Sequence, residues 1–165
     1  MSSSITNNPS NTYYQSENNA DYKLGIVVSD YYSEITHKLL EASIQILTKY
    51  GVKASNIDVL HMPGAFELIY GVGSLLGDPD YDGLIALGCV IKGDTDHDKY
   101  INQAVANSIA NLTLEYNIPI SFGLLTTNTL KQAEDRSGGE LGNKGEEAAL
   151  ALLCALNAKA ISATK

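Results

Sequence analysis

From Lys23 onward the chain alternates short, unbroken apolar runs with longer segments in which apolar residues return every three or four positions. The first pattern is that of a strand buried on both faces, and the second is the stripe of a helix lying on a sheet. LGIVVS at 24–29 opens the series as a strand. Ile35, Leu39, Ala42, Ile46, Leu47 and Tyr50 then recur at helical spacing, with Ser33 as the expected N-cap and Gly51 as the stop. IDVLHM at 57–62 predicts a second strand, cut by Pro63-Gly64, and a helix follows through Leu76 to the turn Gly77-Asp78-Pro79-Asp80. GLIALGCVI at 83–91 is a third strand, after which Ile101, Val105, Ser108, Ile109, Leu112 and Tyr116 mark one side of a long helix. IPISFGLLT at 118–126 predicts the fourth strand, followed by a short helix around 128–136. A last helix over 144–158 carries Ala148, Ala149, Leu152, Leu153 and Leu156.

Four buried strands alternating with helices predict an α/β protein, a three-layer α/β/α sandwich around a parallel sheet with right-handed crossovers. Ligands of such sheets gather at the carboxyl ends of the strands beside a topological switch point. The loops after residues 29, 62, 91 and 126 are therefore where a site is expected. Residues 1–21 are rich in Ser, Asn and Thr, which predicts a flexible arm rather than a folded unit. Its Tyr13 and Tyr14 belong either to a solvated tail or to an extra edge strand swapped onto a neighbouring subunit. The domain is expected over 22–160, with a short tail at 161–165.

The 165 residues suffice for one domain. With 44% hydrophobic residues, 14 Gly and 4 Pro, disordered, collagenous and coiled-coil classes are excluded. Charged residues are 18% of the chain, below the roughly 25% of soluble proteins, which points to surface covered by other copies. Against 11 basic side chains stand 19 acidic ones, and the net charge of -8 repels nucleic acid and anionic lipid alike. A bound anion must then be met by a local group of donors. Cys89 and Cys154 lie in apolar contexts without CxxC or metal-ligand spacing, as buried free thiols of a reducing compartment do. No leader pattern and no membrane-length apolar run appears, so the expectation is a cytoplasmic protein with no membrane partner.

The turn Lys92-Gly93-Asp94-Thr95-Asp96-His97 opens the long helix. Free N–H groups and a positive dipole end suit such a turn to phosphate, although Thr95 or Asp96 can equally serve as an ordinary cap. His97 at the same helix start can move protons near neutral pH, or sit on the surface without a role. Arg136 is the one arginine of the chain, a residue type suited to bidentate phosphate recognition or to a helix end. Gly138-Gly139 and Gly142-Asn143-Lys144-Gly145 read as a flexible connector whose Lys144 binds a polar ligand or caps a helix. Glu67, within Pro63-Gly64-Ala65-Phe66-Glu67, either complements a helix dipole or accepts sugar-like hydroxyls, and Tyr31 and Tyr32 either stack a planar ring or pack in the core. His37 and His61 read as structural. Gly71-Val72-Gly73 lacks the third glycine of a dinucleotide fingerprint, and there is no Walker sequence.

Taken together, PGAFE (63–67), GCVIKGDTDH (88–97), IPISFGLLTT (118–127), EDR (134–136) and GNKGEEAA (142–149) resemble the 6,7-dimethyl-8-ribityllumazine synthase family in order and spacing, over residues 23–158. The resemblance implies a flavodoxin-like sheet and a condensation of 5-amino-6-(D-ribitylamino)uracil with 3,4-dihydroxy-2-butanone 4-phosphate in riboflavin synthesis, without organic cofactor or metal. It implies that Tyr31 stacks on the pyrimidine and that Ala65 and Glu67, flanking Phe66, meet the ribityl chain. Val90 and Ile91 line the ring pocket next to Lys92. The turn Gly93, Asp94, Thr95 and the Arg136 guanidinium take the phosphate, His97 moves protons, and Phe122 and Lys144 complete the pocket. In the family Phe122, Arg136 and Lys144 come from the adjacent subunit. The pattern is broken where Asp98-Lys99 follows His97 in place of an aromatic and an acid, and where Tyr31-Tyr32 replaces an aromatic-Asn pair. A short connector before the last helix accompanies a 60-subunit icosahedral shell built from pentamers, with riboflavin synthase as a further partner. The alternative reading is a flavodoxin-like module that binds flavin or lumazine without making it, and a third is a shell component selected for assembly.

Overall fold

The computed structural model describes residues 14–77 and 80–163. Strands β1 (Leu24–Ser29), β2 (Ile57–Met62), β3 (Gly83–Ile91) and β4 (Ile120–Thr127) form one parallel sheet in the order β2-β1-β3-β4. Ile26 lies between Val59 of β2 and Ile85 of β3, which fixes the register at the centre of the sheet. Because side chains alternate along a strand, β1 feeds two cores. Ile26 and Val28 pack with Leu39 and Leu47 of α1 (Ser33–Lys49) and Leu152 and Leu153 of α5 (Lys144–Ala163). Val27 packs on the opposite face with Leu68 and Val72 of α2 (Leu68–Leu76) and with Val105 and Ile109 of α3 (His97–Tyr116). The expected sandwich of helices on both faces of a parallel sheet is therefore present. Among the described residues no helix is long and apolar enough to cross a membrane.

Four strands buried on both faces were expected, and the structure corrects this. Only β1, and β3 up to Val90, are buried throughout, whereas β2 and β4 are the sheet edges, with Val59 and Phe122 each 38% exposed. Short polar interruptions in those runs, Asp58 and His61 in β2, were the signal for an edge. The start of α1 also differs. Tyr32, not Ser33, occupies the N-cap position, in the left-handed region at φ 59° and with no side-chain cap. Its carbonyl accepts the N–H groups of Ile35 (2.8 Å) and Thr36 (3.0 Å). β4 begins at Ile120, two residues later than expected, because Pro119 has no N–H to give the ladder; its carbonyl instead accepts from Leu84 (3.0 Å).

The connector that reads as flexible is ordered. After α4 (Leu130–Asp135), β5 (Ser137–Gly139) pairs antiparallel with β6 (Gly142–Asn143). Gly138 and Gly142, at φ 112° and 83°, supply the conformations that close this small ladder. Gly145 then lets α5 approach α1 so closely that a Cβ there would collide with the backbone of Leu39. The Ser43 hydroxyl donates to the carbonyls of both Leu39 and Gly145, each at 2.9 Å, and ties the two helices together. At the other end of α1, Tyr14 is buried against Tyr50, with ring centroids 5.6 Å apart. The Asn19 amide donates to the carbonyls of both tyrosines, at 2.7 and 2.6 Å. Tyr13 and the expected turn residues Asp78 and Pro79 lie outside the described residues.

Candidate functional site

Three loops meet at the carboxyl end of the sheet, at the switch point where the chain leaves β1 for β2 on one side and β3 lies on the other. After β1, the N–H of Asp30 donates to the Met62 carbonyl (2.8 Å) and that of Tyr31 to Pro63 (3.1 Å), so this loop runs along the exit of β2. The rings of Tyr31 and Tyr32 meet edge to face, 4.8 Å apart, and Tyr31 remains 64% exposed. After β2, Gly64 gives room for Glu67 to fold back, since a Cβ at Gly64 would stand 2.8 Å from Glu67 Oε2. After β3, the N–H of Lys92 donates to the Thr127 carbonyl (2.8 Å), and the turn from Gly93 then leads into α3 at His97.

These loops enclose a cleft of about 470 Å³. Of the residues singled out in the sequence, Tyr31, Tyr32, Ala65, Phe66, Glu67, Val90, Ile91, Gly93, Thr95 and His97 line it. Lys92 and Asp94 sit on the same turn and face solvent. Apolar Ala65, Val90 and Ile101 and polar Glu67, Thr95 and His97 share this lining, the mixture usual in small-molecule sites. Open space surrounds the Cα of Gly93, with no heavy atom within 4 Å of a Cβ built there, so the turn can accept an anion at the positive end of α3.

Of the two expected caps, only Thr95 bonds to the helix start. Thr95 Oγ1 accepts from the His97 N–H at 3.4 Å, whereas the Asp96 carboxylate makes no cap and pairs with Lys99 Nζ at 2.8 Å. Lys99 therefore offsets one of the acids beside the turn. Gly64, Cys89, Asp98 and Ile101 also line the cleft and went unrecognised as lining in the sequence. Asp98 had a signal, its place one residue beyond His97; its Oδ1 is buried and without a hydrogen-bond partner. Burial pushes the Cys89 thiol up to about 11.

Arg136, Lys144 and Phe122 are not in this cleft. Arg136 and Lys144 line a second one of about 350 Å³ with Thr126 and Thr127. There the Arg136 carbonyl accepts the Lys144 N–H at 2.9 Å, and Lys144 Nζ pairs with Glu147 at 2.8 Å. Among the described residues no carboxylate pairs with the Arg136 guanidinium. Phe122 lines a third depression together with Ile109 and Leu114 of α3.

The sequence model of the 6,7-dimethyl-8-ribityllumazine synthase family matches residues 21–160. A 6,7-dimethyl-8-ribityllumazine synthase of Bacteroides fragilis (strain YCH46) is 48% identical over 128 residues, covering 78% of this chain and 90% of that protein. One from Parabacteroides distasonis is 46% identical over 138 residues, covering 84% and 86%. One from Limosilactobacillus reuteri is 44% identical over 131 residues, covering 79% and 85%.

Proposed function

The chain belongs to the 6,7-dimethyl-8-ribityllumazine synthase family, and from that premise we propose how its clefts divide the work of the reaction. The enzyme condenses 5-amino-6-(D-ribitylamino)uracil with 3,4-dihydroxy-2-butanone 4-phosphate, giving the lumazine, phosphate and water in riboflavin biosynthesis. The uracil amine attacks the ketone and expels one water to form an imine, phosphate leaves by β-elimination, and ring closure expels a second water. Each step moves a proton, and the second releases a dianion.

In our reading Tyr31 stacks on the pyrimidine while Val90 and Ile91 hold its edge. Ala65, Phe66 and Glu67 receive the ribityl chain, with the Glu67 carboxylate accepting its hydroxyls. The turn at Gly93, Asp94 and Thr95 offers backbone N–H groups to the phosphate, and Lys92 adds positive charge beside it. His97, at the start of α3, takes the proton from the attacking amine and returns protons as phosphate and water depart. Both substrates are reactive, so much of the acceleration comes from holding them together.

One observation carries this reading: Tyr31, Glu67, Gly93, Thr95 and His97, drawn from three separate loops, line a single cleft. The separation of Arg136, Lys144 and Phe122 from it supports a site completed by a neighbouring copy, whose guanidinium grips the phosphate. We read the assembly as a pentamer, and the short β5–β6 ladder between α4 and α5 supports the closed shell of 60 subunits. Two free thiols suit a reducing cytoplasm, and riboflavin synthase, which consumes the lumazine, is the partner we expect there.

Incubating the purified protein with both substrates tests the assignment. Lumazine fluorescence and free phosphate should appear in equal amounts. Tight binding of lumazine or flavin with no turnover would instead identify a binding module. Light scattering separates five subunits from sixty, and activity in dissociated pentamers separates a catalyst from a component kept for its shell.

A further inference from the structure

Outside the cleft, three ligand-bearing side chains converge from three elements: Asp30 directly after β1, His37 early in α1, and His61 in the edge strand β2. Asp30 Oδ1 lies 3.0 Å from His37 Nε2 and 2.7 Å from His61 Nδ1. The two imidazoles stand edge to face, 5.6 Å between centroids and at 88°. Nothing in the sequence spacing unites these residues, and both histidines read as structural there. The fold brings them together because Val28 pairs with His61 across the β1/β2 ladder, and the Asp30 N–H donates to Met62 just beyond it.

We propose that Asp30, His37 and His61 form a binding site for a divalent first-row transition ion such as zinc, with water completing the coordination. Two imidazoles and one carboxylate are a donor set of borderline softness, suited to zinc, cobalt and nickel rather than to calcium or magnesium. The candidate ligand atoms of the three residues all lie within 4.8 Å of one another. Donors about 2.0–2.1 Å from a tetrahedral zinc are roughly 3.3 Å apart. On binding, the present contacts of 3.0 and 2.7 Å open toward that spacing, and the imidazole nitrogens, at most 4.8 Å apart, close toward it. Each of the three side chains is about half exposed, at 46–47%, so an ion can enter and keep water ligands. The net charge of -8 adds a background field that attracts cations. Bound there, the ion ties the loop that carries Tyr31 and Tyr32 to α1 and to the sheet edge. The site stands whether or not the reaction assigned to the cleft is correct.

Titration of the untagged, assembled protein with Co²⁺, followed by visible absorption, tests the site. One equivalent per subunit should bind with ligand-field bands and be displaced by Zn²⁺. Zinc should also raise the melting temperature. His37→Ala and His61→Ala should each weaken Co²⁺ binding by more than the about 10- to 100-fold that loss of an outer-shell group costs. His37→Gln retains an N–H for Asp30 but no imidazole, and should lose the metal while keeping the fold by circular dichroism. No binding at millimolar Co²⁺, or unchanged affinity in any folded one of these variants, overturns the proposal.

Discussion

His97 and Arg136 do not share a cavity within one subunit: the imidazole lines the cleft of Tyr31 and Glu67, and the guanidinium lines another with Lys144. If the reaction uses both, each site needs two copies of the chain. His97→Ala should slow turnover by about 100-fold, within the usual worth of a positioned acid-base group. Assemblies reconstituted from equal amounts of His97→Ala and Arg136→Ala subunits should then recover about a quarter of the wild-type sites, because a cyclic interface takes one residue from each neighbour. A mixture no more active than its components would show that the two residues do not meet across an interface.

Tyr31 and Arg136 are assigned to different substrates, so their losses should separate. Tyr31→Ala removes a stacking surface worth about 1–3 kcal/mol per base and should raise KM for the uracil about 10-fold or more. Arg136→Ala removes a charged hydrogen bond worth about 1.5–3 kcal/mol and should raise KM for the phosphorylated ketone about 10- to 100-fold. Steady-state kinetics with each substrate varied in turn decides it; equal loss for both in either variant counts against the division.

Two glycines of the site motifs have opposite reasons for being glycine. Gly93 is surrounded by open space, so Gly93→Ala should change stability by no more than about 0.5 kcal/mol and, on the phosphate site proposed at this turn, should raise KM for the phosphorylated ketone. Gly145 sits against the backbone of Leu39, where neither helix can yield without the Ser43 bridge parting. Gly145→Ala should therefore cost more than about 3 kcal/mol. Urea unfolding of the two variants, alongside their KM for the phosphorylated substrate, should give a kinetic defect in the first and a stability defect in the second.

Cys89 forms part of the cleft wall yet is only 2% exposed, and burial lifts its thiol to about 11. In an unfolded chain the same thiol ionises near about 8.5. The native state thus holds this proton more tightly, and its contribution to stability is complete below about pH 8.5 and lost as pH rises toward about 11. Iodoacetamide at pH 8 should label Cys89 slowly in the native protein and quickly in urea, as read by peptide mass. Rapid native labelling would mean that the thiol is open to solvent and ionised.

Much of the fold was legible because local chemistry and long-range packing agree. The unbroken apolar runs of β1 and β3, and the stripe of Leu39 and Leu47 in α1, can be buried in only a few ways, and alternation of strands with helices leaves a parallel sheet with loops at one end. The residues of the main cleft were legible for the same reason, since Tyr31, Glu67 and His97 each closely follow a strand. Which strands are edges, how Tyr32 enters α1 in a left-handed conformation, and where Arg136 stands relative to His97 depend on contacts between segments far apart in the chain. Asp30, His37 and His61 show this most plainly. Their convergence comes from the register of β1 on β2 and the packing of α1 above it, and spacing along a chain carries no record of which strand lies beside which.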